Sequence, residues 1–218
     1  NLVSHVQDSN SAVRWKAVTM LGRLGKMRSD VLETLIDGKL ISTLLQDKDP
    51  SVWEGLLDLV SVYTELRPEE CITQRNIALL INKAGADDLI IRRIAVDLLR
   101  TWVRIKPEVC TQEHLRTVLS LLKNHKPYVR VSALDIFGIF VRANPAMFAT
   151  DINFKRVRVM LKSKVKAVRR KAEKILHSFP QARSEDKDTD AASFPAGEEK
   201  RARSRSDSGD TTRQSLIP

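Results

Sequence analysis

The sequence predicts an all-α fold, namely a solenoid of about five stacked helical hairpins followed by a disordered tail. Two observations lead to this prediction: a short pattern returns about every 39 residues, and the apolar positions after it keep helical spacing. The repeat occupies residues 1–180, whereas residues 181–218 have a different composition. We therefore expect one folded domain over residues 1–180 and a tail over residues 181–218.

An apolar residue, followed by arginine in most repeats, marks each repeat at a fixed point. These anchor residues lie 39, 39, 38 and 39 positions apart, and they are Val13, Val52, Ile91, Val129 and Val168. A period of about 20 to 50 residues is typical of stacked supersecondary units. The first repeat lacks most of its first helix. We therefore expect this repeat to be truncated and the chain to be a fragment, or one end, of a longer solenoid.

The residues that follow each anchor have the spacing of a helix. A mostly small side chain comes four positions later, and large apolar side chains follow at seven and eight positions. The first set is Ala17, Leu56, Ala95, Ala133 and Ala172. Offsets of zero, four, seven, eight and eleven fall on one face of a helix. Each repeat is thus predicted to have a second helix that begins near its anchor.

A first helix is predicted to precede each anchor, with a polar turn between the two helices. Threonines 18 positions before an anchor suit the N-cap of this helix, because the hydroxyl can accept a free backbone N–H. They are Thr34, Thr73, Thr111 and Thr150. Prolines 22 or 23 positions before an anchor are predicted to end the previous repeat. They are Pro68, Pro107 and Pro145.

One segment resembles the core of a HEAT repeat: Leu44-Leu45-Gln46-Asp47-Lys48-Asp49-Pro50-Ser51-Val52. The resemblance extends over residues 1 to about 180 and implies a right-handed α-solenoid of the HEAT, or armadillo-like, superfamily. In that family a turn aspartate and the arginine after the valine link neighbouring repeats. The matching positions are Asp8, Asp47, Arg14, Arg92, Arg130 and Arg169. Departures from the pattern are Trp53 at the arginine position and Ala86, Asn124 and Ser163 at the aspartate position.

No motif in the sequence indicates catalysis, so the chain is predicted not to be an enzyme. The sequence has no Gly-rich phosphate loop, no nucleophile elbow and no metal-ligand spacing, and we expect no cofactor. Cys71 and Cys110 are interpreted as buried apolar residues, and reduced thiols fit a cytoplasmic or nuclear protein. The sequence has no apolar run near the ~20 residues that cross a bilayer, and no secretory signal.

Positive charge is concentrated in the last two repeats. Residues 1–90 carry 10 basic and 13 acidic side chains, whereas residues 91–180 carry 20 basic and 6 acidic. Because stacked hairpins bring equivalent turns side by side, the lysines of two successive turns are predicted to form one basic ridge, flanked by two arginines. The basic ridge consists of Lys123, Lys126, Arg130, Lys162, Lys164, Lys166 and Arg170.

A basic ridge attracts acidic protein surfaces or phosphates. The leading hypothesis is a non-enzymatic scaffold that docks an acidic protein partner. One alternative is a tubulin-binding array resembling the TOG subclass of HEAT domains, which contacts tubulin through its intra-repeat turns. Another is binding to the phosphates of nucleic acid or anionic lipid. A solvated end of a solenoid would also be charged in this way, and the sequence leaves the oligomeric state open.

The tryptophans are interpreted mainly as core residues. Trp102 aligns with apolar residues of the other repeats and is predicted to pack in the core. For Trp53 two interpretations stay open at this point: burial in the core, or partial exposure with a contact to a partner. Trp15 lies in a predicted second helix, outside the turn where TOG domains carry their aromatic residue.

The tail is rich in Ser, Asp, Glu, Arg and Thr, and this composition predicts disorder. Lys200-Arg201-Ala202-Arg203 resembles a short nuclear-import signal. An arginine stands three positions before each of Ser204, Ser206 and Ser208, which is typical of sites for basic-directed kinases. Phosphorylation there would add negative charge that competes for the basic ridge.

Overall fold

The computed structural model describes residues 2–179, and within this range it contains twelve α-helices and no β-strand. The all-α prediction is confirmed for these residues. The helices are α1 (Ser11–Met27), α2 (Ser29–Leu35), α3 (Gly38–Leu44), α4 (Pro50–Leu66), α5 (Pro68–Cys71), α6 (Gln74–Lys83), α7 (Leu89–Ile105), α8 (Gln112–Leu121), α9 (Pro127–Ala143), α10 (Pro145–Phe148), α11 (Asp151–Arg158) and α12 (Lys166–Ser178). Short 3₁₀ segments occur at Ser4–Gln7, Pro107–Val109 and Val159–Lys162.

The second helices of the repeats are α1, α4, α7, α9 and α12, and each begins two residues before its anchor. The first four are all 17 residues long. Val52, Val129 and Val168 are fully buried and Ile91 nearly so, while Val13 on α1 is half-buried. Each second helix packs against the next along the chain. The repeat predicted from the sequence is therefore a stack of parallel second helices with their anchors facing the core.

The first helices are α3, α6, α8 and α11, and their starts test the predicted threonine caps. The hydroxyls of Thr73, Thr111 and Thr150 accept a backbone N–H from the third residue of the helix, which confirms these three caps. The prediction for Thr34 is wrong. Thr34 lies inside α2, and the carboxylate of Asp37 caps α3 through the N–H of Leu40.

Each of the first four second helices leads into a short helical segment before the next first helix begins. Pro68 and Pro145 occupy the first positions of α5 and α10, and Pro107 opens a 3₁₀ turn. This position suits proline, because the first residues of a helix have no intrahelical partner for their N–H groups. The prediction that these prolines follow the end of a repeat is confirmed, and the short segments make each link longer than a simple turn.

Helices α1 and α4 approach closely because glycines line their contact. A Cβ atom on Gly22 would lie 3.1 Å from the backbone nitrogen of Leu59. A Cβ atom on Gly55 would lie 2.7 Å from the hydroxyl of Thr19, closer than real Cβ contacts come. A larger residue at either position would force the neighbouring atoms of the other helix to shift.

The core runs along the stack and contains the aromatic and thiol side chains. Trp53 and Trp102 are fully buried, and the indole N–H of Trp102 donates to the Thr64 hydroxyl at 2.9 Å. Cys71 and Cys110 are unpaired and buried, as predicted. Burial raises the pKa of both thiols to about 12. They are therefore protonated at neutral pH and pack as apolar residues.

Candidate functional site

The turns between first and second helices span residues 45–49, 84–88, 122–126 and 163–165. In three of them the arginine after the anchor donates to carbonyl oxygens of its own turn. Arg92 reaches Ala86 O at 2.8 Å, Arg130 reaches Asn124 O at 2.6 Å, and Arg169 reaches Ser163 O at 2.7 Å. The sequence departs from the HEAT pattern at the aspartate positions of these repeats, and these arginines hold the shape of their own turns. Arg14 makes the same kind of contact, with Asp8 O at 3.0 Å and Ser9 O at 3.1 Å.

Trp53 takes the arginine's place in the second repeat. Its side chain is fully buried, and the indole N–H donates to the carbonyl oxygen of Asp47 at 3.0 Å. The ammonium group of Lys83, from the neighbouring repeat, lies 5.5 Å from the centre of the indole ring. Trp53 is therefore a core residue. Its indole N–H makes the hydrogen bond to the turn that an arginine makes in the other repeats.

Hydrogen bonds link neighbouring turns to one another. The guanidinium of Arg14 donates to both carboxylate oxygens of Asp47 at 2.8 and 3.1 Å, as the HEAT resemblance implies. Lys83 donates to the carbonyl oxygen of Asp47 at 2.6 Å. Lys126 and the hydroxyl of Tyr128 both donate to the carboxylate of Asp87. These contacts bring the turns of the first four repeats into a row along one edge.

The links also set the ionisation of the turn residues. Burial raises the pKa of Asp47, but the hydrogen bonds from Arg14 and from the Asp49 N–H outweigh it and hold that pKa below its usual value. Hydrogen bonds from Lys126 and Tyr128 lower the pKa of Asp87. Burial lowers the pKa of the Lys83 ammonium group. The carboxylates in this row are therefore ionised at neutral pH and neutralised by neighbouring repeats.

The seven residues of the basic ridge differ in how they are used. Lys126 pairs with Asp87, and Arg130 holds its own turn, so both are half-buried. The other five side chains are exposed: Lys123, Lys162, Lys164, Lys166 and Arg170. Lys162 ends a 3₁₀ segment and Lys166 begins α12, so the charges of the last turn extend into its flanking helices.

A second basic surface lies on the second helices, and the sequence analysis missed it. A groove of about 420 Å³ between α7 and α9 is lined by Arg100, Arg104 and Arg142. Arg104 and Arg142 both stand 13 positions after their anchors. This shared repeat position was a usable signal in the sequence.

Some predictions fall outside the described residues. Ser204, Ser206, Ser208 and the import-like segment at 200–203 are among them, so their roles stay predictions of the sequence. Within residues 2–179, no helix combines the length and the apolar character needed to span a bilayer.

Known proteins resemble this chain in structure. No protein-family model matches the sequence, and no curated protein matches it. A protein solved in work on TOG–tubulin binding specificity in microtubule dynamics and mitotic spindle formation superposes with a TM-score of 0.58 at 19% identity, over 80% of this chain and 69% of that one.

Two engineered proteins are also similar. A computationally designed armadillo repeat protein for modular peptide recognition gives a TM-score of 0.53 at 14% identity, over 82% of this chain and 80% of that one. Another engineered protein gives 0.50 at 13% identity, over 80% and 76%. Sequence identities this low support a similarity of fold only. The chain has the helical-repeat solenoid fold of armadillo and HEAT-like proteins, as its sequence repeat predicts.

Proposed function

We propose that this chain is a non-enzymatic scaffold that docks an acidic protein surface along the basic ridge. One observation supports the proposal: contacts join the first four turns into a row, and five cations in or beside the last two turns are exposed, namely Lys123, Lys162, Lys164, Lys166 and Arg170. Stacked repeats build extended surfaces of this kind, and partners bind along them. A basic surface selects partners of opposite charge and speeds their encounter.

The net charge of the turns changes sign along the row, from negative in the earlier repeats to positive in the last two. Asp49 and Asp88 cap the second helices of the earlier repeats, and Asp47 and Asp87 are neutralised by neighbouring repeats. The turns of the last two repeats carry exposed lysines instead. An acidic partner is therefore attracted mainly to the C-terminal end of the row, where the exposed side chains are cationic.

Charge reversal at the last turn tests the proposal. In the variant Lys162→Glu/Lys164→Glu/Lys166→Glu, we expect partner affinity to fall about tenfold or more, mainly through a slower association rate. The measurement is affinity capture with crosslinking, followed by binding kinetics with each purified partner. Wild-type crosslinks from the ridge should end near acidic residues of the partner.

A matched control separates local from global charge. The variant Lys16→Glu/Lys39→Glu/Lys48→Glu changes the net charge equally, and its three lysines are exposed in the earlier repeats. It should keep the partners that the ridge variant loses. Equal retention of all partners by both variants would mean that the ridge is only a solvated end of the solenoid.

Tubulin is the second candidate partner. The resemblance to TOG domains and the row of turns favour it, because that subclass contacts tubulin through its intra-repeat turns. Co-sedimentation with microtubules and binding to purified tubulin test this reading. A salt titration against duplex DNA tests the phosphate reading, for which a steep loss of affinity with rising salt is expected.

A further inference from the structure

The face formed by the second helices contains a groove that differs in chemistry from the basic ridge. It lies between the C-terminal halves of α7 and α9 and has a volume of about 420 Å³. Its accessible apolar lining is formed by the half-buried Pro107 and Ala143, which lie over the core residues Val103 and Ile139. A partner side chain placed here would rest on atoms that the fold itself holds in place.

Three guanidinium groups surround this apolar lining. Arg100 and Arg104 come from α7 and Arg142 from α9, and all three are exposed. Among residues 2–179, no carboxylate lines the groove. Arg142 lies back along its helix over Gly138, with a guanidinium nitrogen 3.6 Å from where a Cβ of residue 138 would stand. Ile175 of α12 lies beside the same point, at 3.7 Å, so the guanidinium of Arg142 stands next to α12.

The basic surface continues toward α12. A neighbouring groove of about 210 Å³ shares Arg100 and Arg142 and adds Lys171 and Lys174 from α12. Its carboxylate, Asp135, pairs with Lys171. Arg100 is itself held by Asp97 at 2.8 Å. The two grooves together form a surface with a clear excess of positive charge.

The excess is confined to this part of the stack. The position of Arg104 and Arg142 is occupied on α4 by Glu65, and Lys26 on α1 pairs with Asp58 at 2.7 Å. The feature therefore belongs to α7, α9 and α12, and it is not a property of every repeat.

We propose that this groove binds an acidic segment of a partner protein, which places one apolar side chain against Pro107 and Ala143 and its carboxylates against Arg100, Arg104 and Arg142. The planar fork of arginine matches a carboxylate with two parallel hydrogen bonds. The apolar lining favours the burial of an apolar side chain, which a phosphate backbone does not have. No aromatic ring lines the groove, so base stacking does not favour single-stranded nucleic acid.

The test uses the full chain and an array of synthetic peptides. Each peptide carries one leucine, isoleucine or phenylalanine flanked by Glu and Asp residues. Matched peptides replace the apolar residue with alanine or the acidic residues with lysine. We expect the acidic, apolar-anchored peptides to be selected over both matched sets. Fluorescence anisotropy of the best peptide then gives its affinity.

Variants locate the binding. Arg104→Glu/Arg142→Glu should weaken the best peptide on the order of a hundredfold, because like charges replace complementary ones. Arg104→Gln/Arg142→Gln should weaken it about tenfold and guards against a folding defect in the reversed variant. The ridge variant Lys162→Glu/Lys164→Glu/Lys166→Glu should bind the peptide within about twofold of wild type, which separates this proposal from the proposed function.

Several results would overturn the proposal. One is the absence of any selection for acidic, apolar-anchored peptides. Another is equal affinity for the peptides in which alanine replaces the apolar residue. Binding would then depend on charge and not on the apolar lining of the groove. A third is unchanged affinity in both arginine variants while circular dichroism shows a native fold. Stronger competition by duplex DNA than by unlabelled peptide would assign the surface to nucleic acid.

Discussion

Replacing Trp53 with alanine is expected to lower the free energy of unfolding by about 3–5 kcal/mol. The side chain is fully buried, so its removal leaves a cavity between neighbouring repeats. It also removes the N–H that donates to Asp47 O at 3.0 Å and closes the turn. The measurement is chemical denaturation followed by far-UV circular dichroism, which does not depend on tryptophan emission.

Two control variants separate the cavity from the hydrogen bond. Trp53→Phe keeps an aromatic ring and removes the donor, and we expect a loss of about 1–3 kcal/mol. Trp15→Ala removes an indole that is 39% exposed, and the loss should be below about 1 kcal/mol. A loss for Trp53→Ala no larger than that for Trp15→Ala would contradict the burial of Trp53.

Replacing Asp47 with alanine is expected to cost about 2–3 kcal/mol. Its side chain is only 9% exposed and accepts two hydrogen bonds from Arg14 at 2.8 and 3.1 Å. It also accepts the N–H of Asp49 at 2.9 Å. The substitution leaves the half-buried guanidinium and this N–H without their acceptor. Arg28→Ala is the control, because Arg28 at the start of α2 and Asp30 in its first turn form a solvent-exposed pair within one repeat.

The effect of Asp47 should depend on pH in a defined direction. Its pKa is lower in the folded protein than the ordinary value of 3.8, so the ionised form stabilises the fold. This contribution is complete above pH 3.8 and is lost as the pH falls through the lower folded value. The stability difference between wild type and Asp47→Asn should therefore shrink in acid. A difference that stays constant from neutral pH into strong acid would contradict the ionised pair.

The fold was predictable because large apolar residues recur at the same positions in each repeat. Val52, Val129 and Val168 are buried as their period requires. The start of α3 was not predictable from the period, since Asp37 offers a cap three residues after Thr34 and begins the helix there. A periodic pattern fixes which face is buried, whereas a local hydrogen bond decides where a helix begins.

The candidate site was predictable only in part. The sequence located the lysines of the last two turns but not the pair of Lys126 and Asp87, because the repeat places successive turns side by side without fixing which side chains meet. The sequence also did not indicate that the indole N–H of Trp53 would hydrogen-bond to its turn in the place of an arginine guanidinium. The groove of Arg104 and Arg142 escaped notice because its residues meet only when α7 and α9 pack.

Pulsed electron paramagnetic resonance between spin labels on the turns would test whether the hairpins lie in one row. Lys48 and Lys123 are exposed positions of two turns, and Lys162 is the exposed residue directly before the last turn. The labels are placed there in a background where Cys71 and Cys110 are alanine. Packed helices lie about 8–10 Å apart, so the distance should be about 10 Å from Lys123 to Lys162, about 20 Å from Lys48 to Lys123 and about 30 Å from Lys48 to Lys162. Distances that do not grow with the number of intervening repeats would contradict the stacked row of turns.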